Sequence, residues 1–445
     1  MMMRLIEPSI CFTQGKPQKN MAVVVEDGTI KAVSPARKAE QDYPEALPEY
    51  WEHLALVPGT VNAHNHSFQS LLRGIAADRP FLEWRDESLY KYSPRLRPID
   101  IYTGALFSFA EMMKCGATTV CDFFYLHNDG MEGDEAVIRA ARDLGIRLVL
   151  ARTMYDWEGA PAGYVETISD ASHNTELLMK KYPGGMTKVI PAPHSLHAAS
   201  PEMVEAGCSL ALKYHTPFHI HVSEERFEVE QVKKMYGTTP LRFLDKLGVV
   251  NEHMSIIHGV WLEPEEIRVL GAKRGHLIYC PSSNMFLADG ITNLPAFLAA
   301  GVPVALGSDG ACGNNRNSVF EEMRMAAILQ KASTLDALCV NYHDAMQMGT
   351  TNGAKALDLP VGEIAAGKAA DFVGIYLDDL SMQPLSKGNQ FLPNLIYSLQ
   401  PTAIERVVVN GEDTVKDGRF VKIDEEELLA RIRTTMEHLE SADMG

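Results

Sequence analysis

The sequence predicts an α/β protein: a (β/α)8 TIM barrel with a small β-sandwich domain formed from both chain ends. Three observations carry this reading. Eight short apolar, β-branched runs alternate with helix-like segments through the middle of the chain. Hairpin patterns occupy the first fifty residues and return after residue 370. A barrel takes about 250 residues, so a length of 445 leaves room for a smaller unit beside it.

In chain order, the first hairpin is read from the apolar stretch 22–25, the Asp27-Gly28 pair and the alternating stretch 30–33. An Asp-Gly pair supplies the positive φ angles that a tight hairpin turn needs. The strand candidates of the barrel follow at 56–62, 118–124, 147–151, 188–191, 218–222, 255–257, 277–280 and 302–307. Helical segments such as 101–114, 133–144, 201–214 and 319–331 fill the gaps, the alternation of a parallel sheet with crossover connections. Towards the far end, 371–376 and 405–410 read as strands, with turns at Asn410-Gly411 and Asp417-Gly418. An amphipathic helix from Glu425, capped by Asp424, closes the chain. The expected organisation is a composite β domain over 1–56 and 361–424, a (β/α)8 barrel over 57–360, and a C-terminal helix over 425–445.

With 46% hydrophobic and 22% charged residues the chain has the balance of a globular protein, without the polar bias of disorder. A formal charge of −17 repels phosphate backbones and anionic lipid, so the expected partner is a small-molecule substrate, with no nucleic acid and no membrane. Residues 1–11 carry Arg4 and Glu7 among apolar neighbours and form neither a secretory signal nor a spanning stretch, which points to the cytoplasm. Seven scattered cysteines without a C-x-x-C pair read as reduced, mostly buried thiols. The methionine-rich stretch 323–348 suits the face of a homo-oligomer and ordinary core packing equally.

His64, His66, His221, His258 and Asp309 each fall at the C-terminal edge of a strand candidate, the rim where barrel enzymes carry their catalytic groups. On a strand, residues two apart share a face, so the imidazoles of His64 and His66 can reach one ion. His219 and His221 repeat that spacing, and an isolated H-x-H pair is weak evidence. The weight comes from five polar groups at matching strand ends inside apolar runs, where each is costly without a shared ligand. Three imidazoles and a carboxylate suit zinc or a similar borderline ion with water in an open position, and an ion held so lowers the pKa of that water towards neutrality. The expected cofactor is therefore one divalent metal ion, Zn2+ in first place, Fe2+ or Mn2+ after it. Glu224, three residues past His221, stands where a carboxylate can carry a proton from water to a leaving nitrogen. His258 suits either a ligand or a donor that orients the attacking water, and the second reading is preferred. Lys188 opens the fourth strand and no lysine closes it, so one ion is the simpler reading. There is no H-E-x-x-H, no P-C-x-x-C, no Walker loop and no G-x-S-x-G elbow.

At these residues the chain resembles the amidohydrolase superfamily, in its branch of cytosine, guanine and S-adenosylhomocysteine deaminases and triazine hydrolases. Pro58-Gly59-Thr60-Val61-Asn62-Ala63-His64-Asn65-His66 is similar to the opening metal motif of that family. Cys280-Pro281-Ser282-Ser283-Asn284 and Gly307-Ser308-Asp309-Gly310 are similar to its seventh- and eighth-strand signatures, and Phe320-Glu321-Glu322-Met323-Arg324 follows as in the deaminases. Residues 362–373 resemble the re-entry into the β domain. The resemblance implies that His64, His66, His221 and Asp309 hold the metal, that Glu224 shuttles the proton, that His258 is the helper imidazole, and that Asp309 takes the proton of the attacking water. From the S-adenosylhomocysteine deaminases it implies substrate contacts at Glu83, Trp84 and His194. Gly313 stands where a small hydroxyl residue is frequent, which is read against purine-nucleoside recognition.

Shorter stretches, His66-Ser67-Phe68-Gln69, Trp84-Arg85-Asp86, 124–127 and 192–196, are similar to N-formimino-glutamate deiminases. Their pattern implies substrate contacts from Gln69, Arg85 and Tyr125. The arginine that clamps a carboxylate there is His197 here, and an imidazole does not replace a bidentate guanidinium without loss. The function expected is a metal-dependent hydrolase that releases ammonia from an amidine-like C–N bond, first of an aminated nitrogen heterocycle of purine, pterin, pyrimidine or triazine type. An N-formimino amino acid deiminase is the second reading, and triazine dechlorination or amine displacement the third. A non-catalytic metal-binding barrel is the reading from another class, and Glu224 beside four ligand candidates argues against it.

Overall fold

The computed structural model describes residues 3–386 and 389–441. Two groups of parallel strands occupy the middle of the chain. In the first, β1 (Thr60–Asn65), β2 (Ala117–Phe124), β3 (Arg147–Met154) and β4 (Thr187–Pro193) pair in chain order. In the second, β5 (Phe218–Val222), β6 (Met254–His258), β7 (His276–Tyr279) and β8 (Val304–Leu306) do the same. Helices Pro98–Lys114, Glu132–Leu144, Pro201–Tyr214 and Val319–Thr334 lie between strands in the chain. Every residue of β2 and β3 is buried, as parallel strands covered by helices require. The groups meet on both sides: His221 N–H donates to the His194 carbonyl at 2.9 Å, and Asp309 N–H to the His64 carbonyl at 3.0 Å.

Seven of the eight strand candidates overlap β2 to β8, with edges moved by a few residues. The first one, 56–62, crosses two elements. Its start belongs to Leu47–Pro58, a strand of the other sheet, and β1 begins only at Thr60. Pro58 has no N–H to extend a ladder. Gly59, between them, passes so close to β2 that a Cβ would lie 2.1 Å from Thr118 Oγ1.

Strands from both chain ends join in one nine-stranded sheet. Arg4–Thr13 pairs antiparallel with Met21–Glu26 and parallel with Leu47–Pro58, and Phe372–Tyr376, Ile404–Val409, Glu412–Lys416 and Arg419–Phe420 continue beyond it. Met21–Glu26 and Thr29–Pro35 form the expected hairpin, turning through Asp27 at φ 48° and Gly28 at φ 75°. That turn lies on the Asn410-Gly411 turn: a Cβ on Gly28 would sit 2.5 Å from Asn410 Oδ1. Ile6, Val23, Leu56 and Val408 bury a cluster in which Trp51 and Phe372 meet edge to face at 5.9 Å.

The C-terminal helix runs Glu425–Ser441, with Asp424 Oδ1 accepting from the N–H groups of Glu426 at 2.8 Å and Glu427 at 3.0 Å. Leu428 and Leu439 are buried, and Thr435 Oγ1 donates to Asp100 of helix Pro98–Lys114 at 3.4 Å. Residues 442–445 of the expected helix lie outside the described residues. The seven cysteines are unpaired, and five of them are buried. No helix among the described residues is long and apolar enough to cross a membrane.

One buried ion pair ties the nine-stranded sheet to the parallel strands. Arg147, at the start of β3, donates from Nε to Asp371 Oδ2 at 2.7 Å and from Nη2 to Oδ1 at 3.0 Å. Asp371 also accepts from Asn410 N–H at 2.7 Å, and its backbone carbonyl takes the Gly59 N–H at 3.2 Å. Removing one member of such a pair leaves an uncompensated buried charge. Arg147→Met is therefore expected to lower the unfolding free energy by about 3–5 kcal/mol in urea denaturation, and adding Asp371→Asn to restore part of it. A loss of about 0.5 kcal/mol or less, the scale of an exposed pair, would contradict the assignment.

Candidate metal centre

His64 and His66, two apart on β1, project into the mouth of the strands together with His221 of β5 and Asp309 just past β8. His66 Nδ1 lies 2.6 Å from the Phe123 carbonyl and His221 Nδ1 lies 3.0 Å from the His194 carbonyl. A carbonyl only accepts, so each Nδ1 carries its hydrogen and each Nε2 keeps a free lone pair. His221 Nε2 is 3.2 Å from His64 Nε2, and Asp309 Oδ1 is 3.3 Å from His66 Nε2 and 3.6 Å from His64 Nε2. Donor atoms of His64, His66 and His221 all lie within 4.8 Å of one another, as do those of His64, His258 and Asp309.

The electrostatics keep His66, His221 and Asp309 in their ligating forms. Burial pulls His66 down to about 4, with His64 adding to it, and burial with His194 and His64 drives His221 well below the usual imidazole range. Burial alone would raise the Asp309 carboxyl, but His64, His66 and His258 outweigh it and hold it far below its ordinary value. Neutral imidazole lone pairs converging on an ionised carboxylate repel one another unless a cation lies between them. The donor set therefore fits one divalent ion of the kind that takes nitrogen and oxygen ligands.

Asp309 is held from three sides. Its N–H donates to the His64 carbonyl, Oδ1 accepts from Gly310 N–H at 2.7 Å, and Oδ2 accepts from Ser283 Oγ at 2.6 Å. Its φ of 59°, with 70° at His258 and 55° at Ser223, puts three non-glycine residues of the rim in left-handed backbone, strain that persists only where surrounding contacts fix it. Glu224 follows Ser223 and is locked by Glu228, whose carboxylate accepts from the N–H groups of Ser223 at 3.1 Å and Glu224 at 3.0 Å. Burial, then Asp289 and Asp309, raise the Glu224 carboxyl well above the ordinary carboxylate range. His258 Nε2 is 3.4 Å from Glu224 Oε1 and 3.9 Å from Asp309 Oδ2.

Most of the other expected pocket residues surround this cluster. Tyr125 packs on His66 at 5.2 Å between ring centroids and accepts a hydrogen bond from Gln69 Nε2 at 2.9 Å. His194 stacks on His221 at 4.8 Å, and His197 lies next to His194 at 5.8 Å with its Nδ1 buried and unpartnered. Trp84 is buried and donates from Nε1 to the Cys312 carbonyl at 3.1 Å, on the segment after β8. Arg85 lies 2.7 Å from Asp86 and 4.4 Å above the Tyr90 ring. Glu83 stands apart: its side chain is 57% exposed and its carboxylate lies 4.0 Å from Arg79. His219 is buried further down β5 with Nδ1 3.6 Å from Cys121 Sγ, and Lys188 turns its ammonium to Asp358 at 3.1 Å.

Several residues at the site had no role assigned from sequence. Ser283 and Asn284 lie in a recognised motif, but that Ser283 donates to Asp309 appears only in three dimensions. Tyr155, 5.0 Å from His194, and Tyr164, 4.9 Å from Tyr125, extend the aromatic wall from loops without a motif. Glu228 carried one local signal, a carboxylate four residues after Glu224.

Comparison with known proteins places this geometry. The amidohydrolase family model matches residues 55–413. A 5-methylthioadenosine/S-adenosylhomocysteine deaminase of Pyrococcus furiosus is 36% identical, with 93% of this chain and 95% of the relative covered. A 5'-deoxyadenosine deaminase of Methanocaldococcus jannaschii is 31% identical, covering 97% and 98%. The solved structure of an adenosine deaminase from Xanthomonas campestris with bound zinc superposes with a TM-score of 0.91 at 28% identity, covering 98% of both chains.

Elemental analysis of the purified protein is expected to find about one divalent ion per chain, as a single site of this type holds. His66→Ala is expected to lose most of it with unchanged far-ultraviolet circular dichroism. Full retention in that variant would remove His66 from the ligand set.

Proposed function

The chain belongs to the amidohydrolase family, and from that premise we propose that it is a metal-dependent deaminase acting on an aminated nitrogen heterocycle. The proposal is carried by the geometry of two buried carboxylates about one imidazole beside the three histidines, His258 Nε2 lying 3.4 Å from Glu224 Oε1 and 3.9 Å from Asp309 Oδ2, with the first carboxyl raised and the second lowered. Carboxyl groups driven apart in this way divide acid and base work between them.

In this reading His64, His66, His221 and Asp309 hold one divalent ion, zinc in first place and iron or manganese after it. Bound there, the ion makes a water molecule nucleophilic near neutral pH. The water oxygen adds to the amidine-like carbon and one of its protons passes to Asp309. Glu224, whose carboxyl is raised by burial and by Asp289 and Asp309, delivers a proton to the ring nitrogen beside that carbon. The His258 Nε2 hydrogen faces the developing charge on oxygen. When the C–NH2 bond breaks, the amino nitrogen takes the proton held by Asp309 and leaves as ammonia, while the hydroxyl proton left on the added oxygen returns to Glu224, so the ring keeps the oxygen as a carbonyl.

We assign the substrate wall to Gln69, Trp84, Arg85, Tyr125, His194 and His197, with Glu83 outside it beside Arg79. An aromatic and imidazole lining suits a planar ring. The relatives named for adenine-type nucleosides support a purine-like ring ahead of the other classes and weigh against the reading taken from Gly313. The Arg85 guanidinium is engaged by Asp86 and Tyr90, and His197 offers no fork for a carboxylate, so an N-formimino amino acid fits less well. We also read the two groups of parallel strands as one closed barrel and the nine-stranded sheet as a sandwich folded on itself. The β4–β5 and β8–β1 hydrogen bonds and the contact between the two chain-end turns support this.

The test is ammonia release by metal-reconstituted protein from aminated purines and their nucleosides, pterins, pyrimidines and triazines, set against N-formimino amino acids. Release from a ring compound is expected, falling by at least about 100-fold in Glu224→Gln while metal content stays constant. Release from formimino compounds alone would sink the proposal, and an unchanged rate in Glu224→Gln would remove the proton role of that residue.

A further inference from the structure

Asn284 and Asp289 lie beside the centre and outside the set of groups used above. The Asn284 amide nitrogen is 3.0 Å from His258 Nδ1 and 2.9 Å from Asp289 Oδ2. An amide nitrogen carries two hydrogens and only donates, and a carboxyl oxygen without a proton only accepts. Asp289 therefore requires the NH2 end of Asn284 to face it, and the second amide hydrogen then falls on His258 Nδ1. That nitrogen must be the unprotonated one. His258 carries its hydrogen on Nε2, a buried atom with no hydrogen-bond partner, 3.4 Å from Glu224 Oε1.

The surroundings hold this arrangement. Asp289 N–H donates to the Asn284 carbonyl at 3.0 Å, and Thr292 Oγ1 to the His258 carbonyl at 2.9 Å. Asp289 is 2% exposed and its Oδ1 has no hydrogen-bond partner.

We propose that Asp289 is a positioning residue: through the Asn284 amide it fixes His258 as the Nε2–H tautomer. His258 is thereby a hydrogen-bond donor to the reacting centre, and its Nε2 lone pair is withheld from the metal position. Turned the other way, the amide oxygen would take a hydrogen from Nδ1 and leave Nε2 free to ligate. The inference rests on the deaminase reading for its catalytic consequence, but the tautomer itself can be read without metal or substrate.

The experiment is a long-range proton–nitrogen correlation on the full-length, metal-free protein labelled with 15N-histidine, with His258→Ala used to assign the His258 signals. Wild type is expected to show the Nε2–H tautomer. Asp289→Leu, similar in size but without an acceptor, is expected to show both tautomers. It should also lower kcat of the reconstituted enzyme by about 10- to 100-fold with little change in KM. Asp289→Asn, which still offers an amide oxygen to Asn284, is expected to keep the wild-type tautomer and most of kcat. Asp289→Ala replaces Asp289→Leu if the leucine prevents folding. An Nδ1–H tautomer in wild type, or an unchanged tautomer in both Asp289→Leu and Asp289→Ala, would overturn the proposal. A shifted tautomer in a protein that deaminates nothing would uphold it and overturn the deaminase reading.

Discussion

The Nε2 atoms of His64 and His221 lie 3.2 Å apart, each buried, with the Asp309 carboxylate 3.6 Å from the first. Most of the rim of the parallel strands is arranged around holding these atoms together. Carbonyl groups of Phe123 and His194 fix the hydrogens of His66 and His221 on the far side of their rings. Burial keeps the His66 and His221 imidazoles neutral, and the same burial makes their lone pairs costly to leave without a partner. A single divalent ion would answer both requirements.

A second layer of buried polar groups keeps the first in place. Glu228 anchors the backbone at Glu224, Ser283 and Gly310 anchor the Asp309 carboxylate, and Glu322 accepts the Ser282 N–H at 3.0 Å. Burial raises Glu322 to about 8 and Glu228 to about 7, so these carboxyls are held by position as much as by charge. Left-handed backbone at Ser223, His258 and Asp309 turns the chain abruptly at the ends of β5, β6 and β8. Such turns aim a side chain inward that a continuing strand would carry away, and the hydrogen bonds around them offset the strain.

Strand periodicity and the position of polar residues at strand ends made the central part of the fold legible. The runs at 118–124 and 218–222 fall on β2 and β5, and the helix at 201–214 on Pro201–Tyr214. The run at 56–62 misled because apolar character passes unbroken from one sheet into another, and only Pro58 and Gly59 mark the change. At the site, the clustering of His64, His66, His221, Glu224, His258 and Asp309 was expected from spacing and resemblance. The partners of these side chains were not: Asn284 and Asp289 meet His258 and each other through contacts that no local pattern encodes, and Glu228 carried only its spacing from Glu224. Glu83 was named through its neighbour Trp84, yet the indole turns inward to Cys312 while the carboxylate turns out to Arg79.

We propose one divalent ion among His64, His66, His221 and Asp309, with His258 outside its coordination. Anomalous diffraction from crystals of the metal-loaded protein, collected on both sides of the zinc absorption edge, tests this most directly. The account expects one strong peak per chain at about 2.0–2.2 Å from three imidazole nitrogens and one carboxylate oxygen, with His258 Nε2 beyond bonding distance. A peak elsewhere, two peaks at the rim, or a metal bonded to His258 would contradict it.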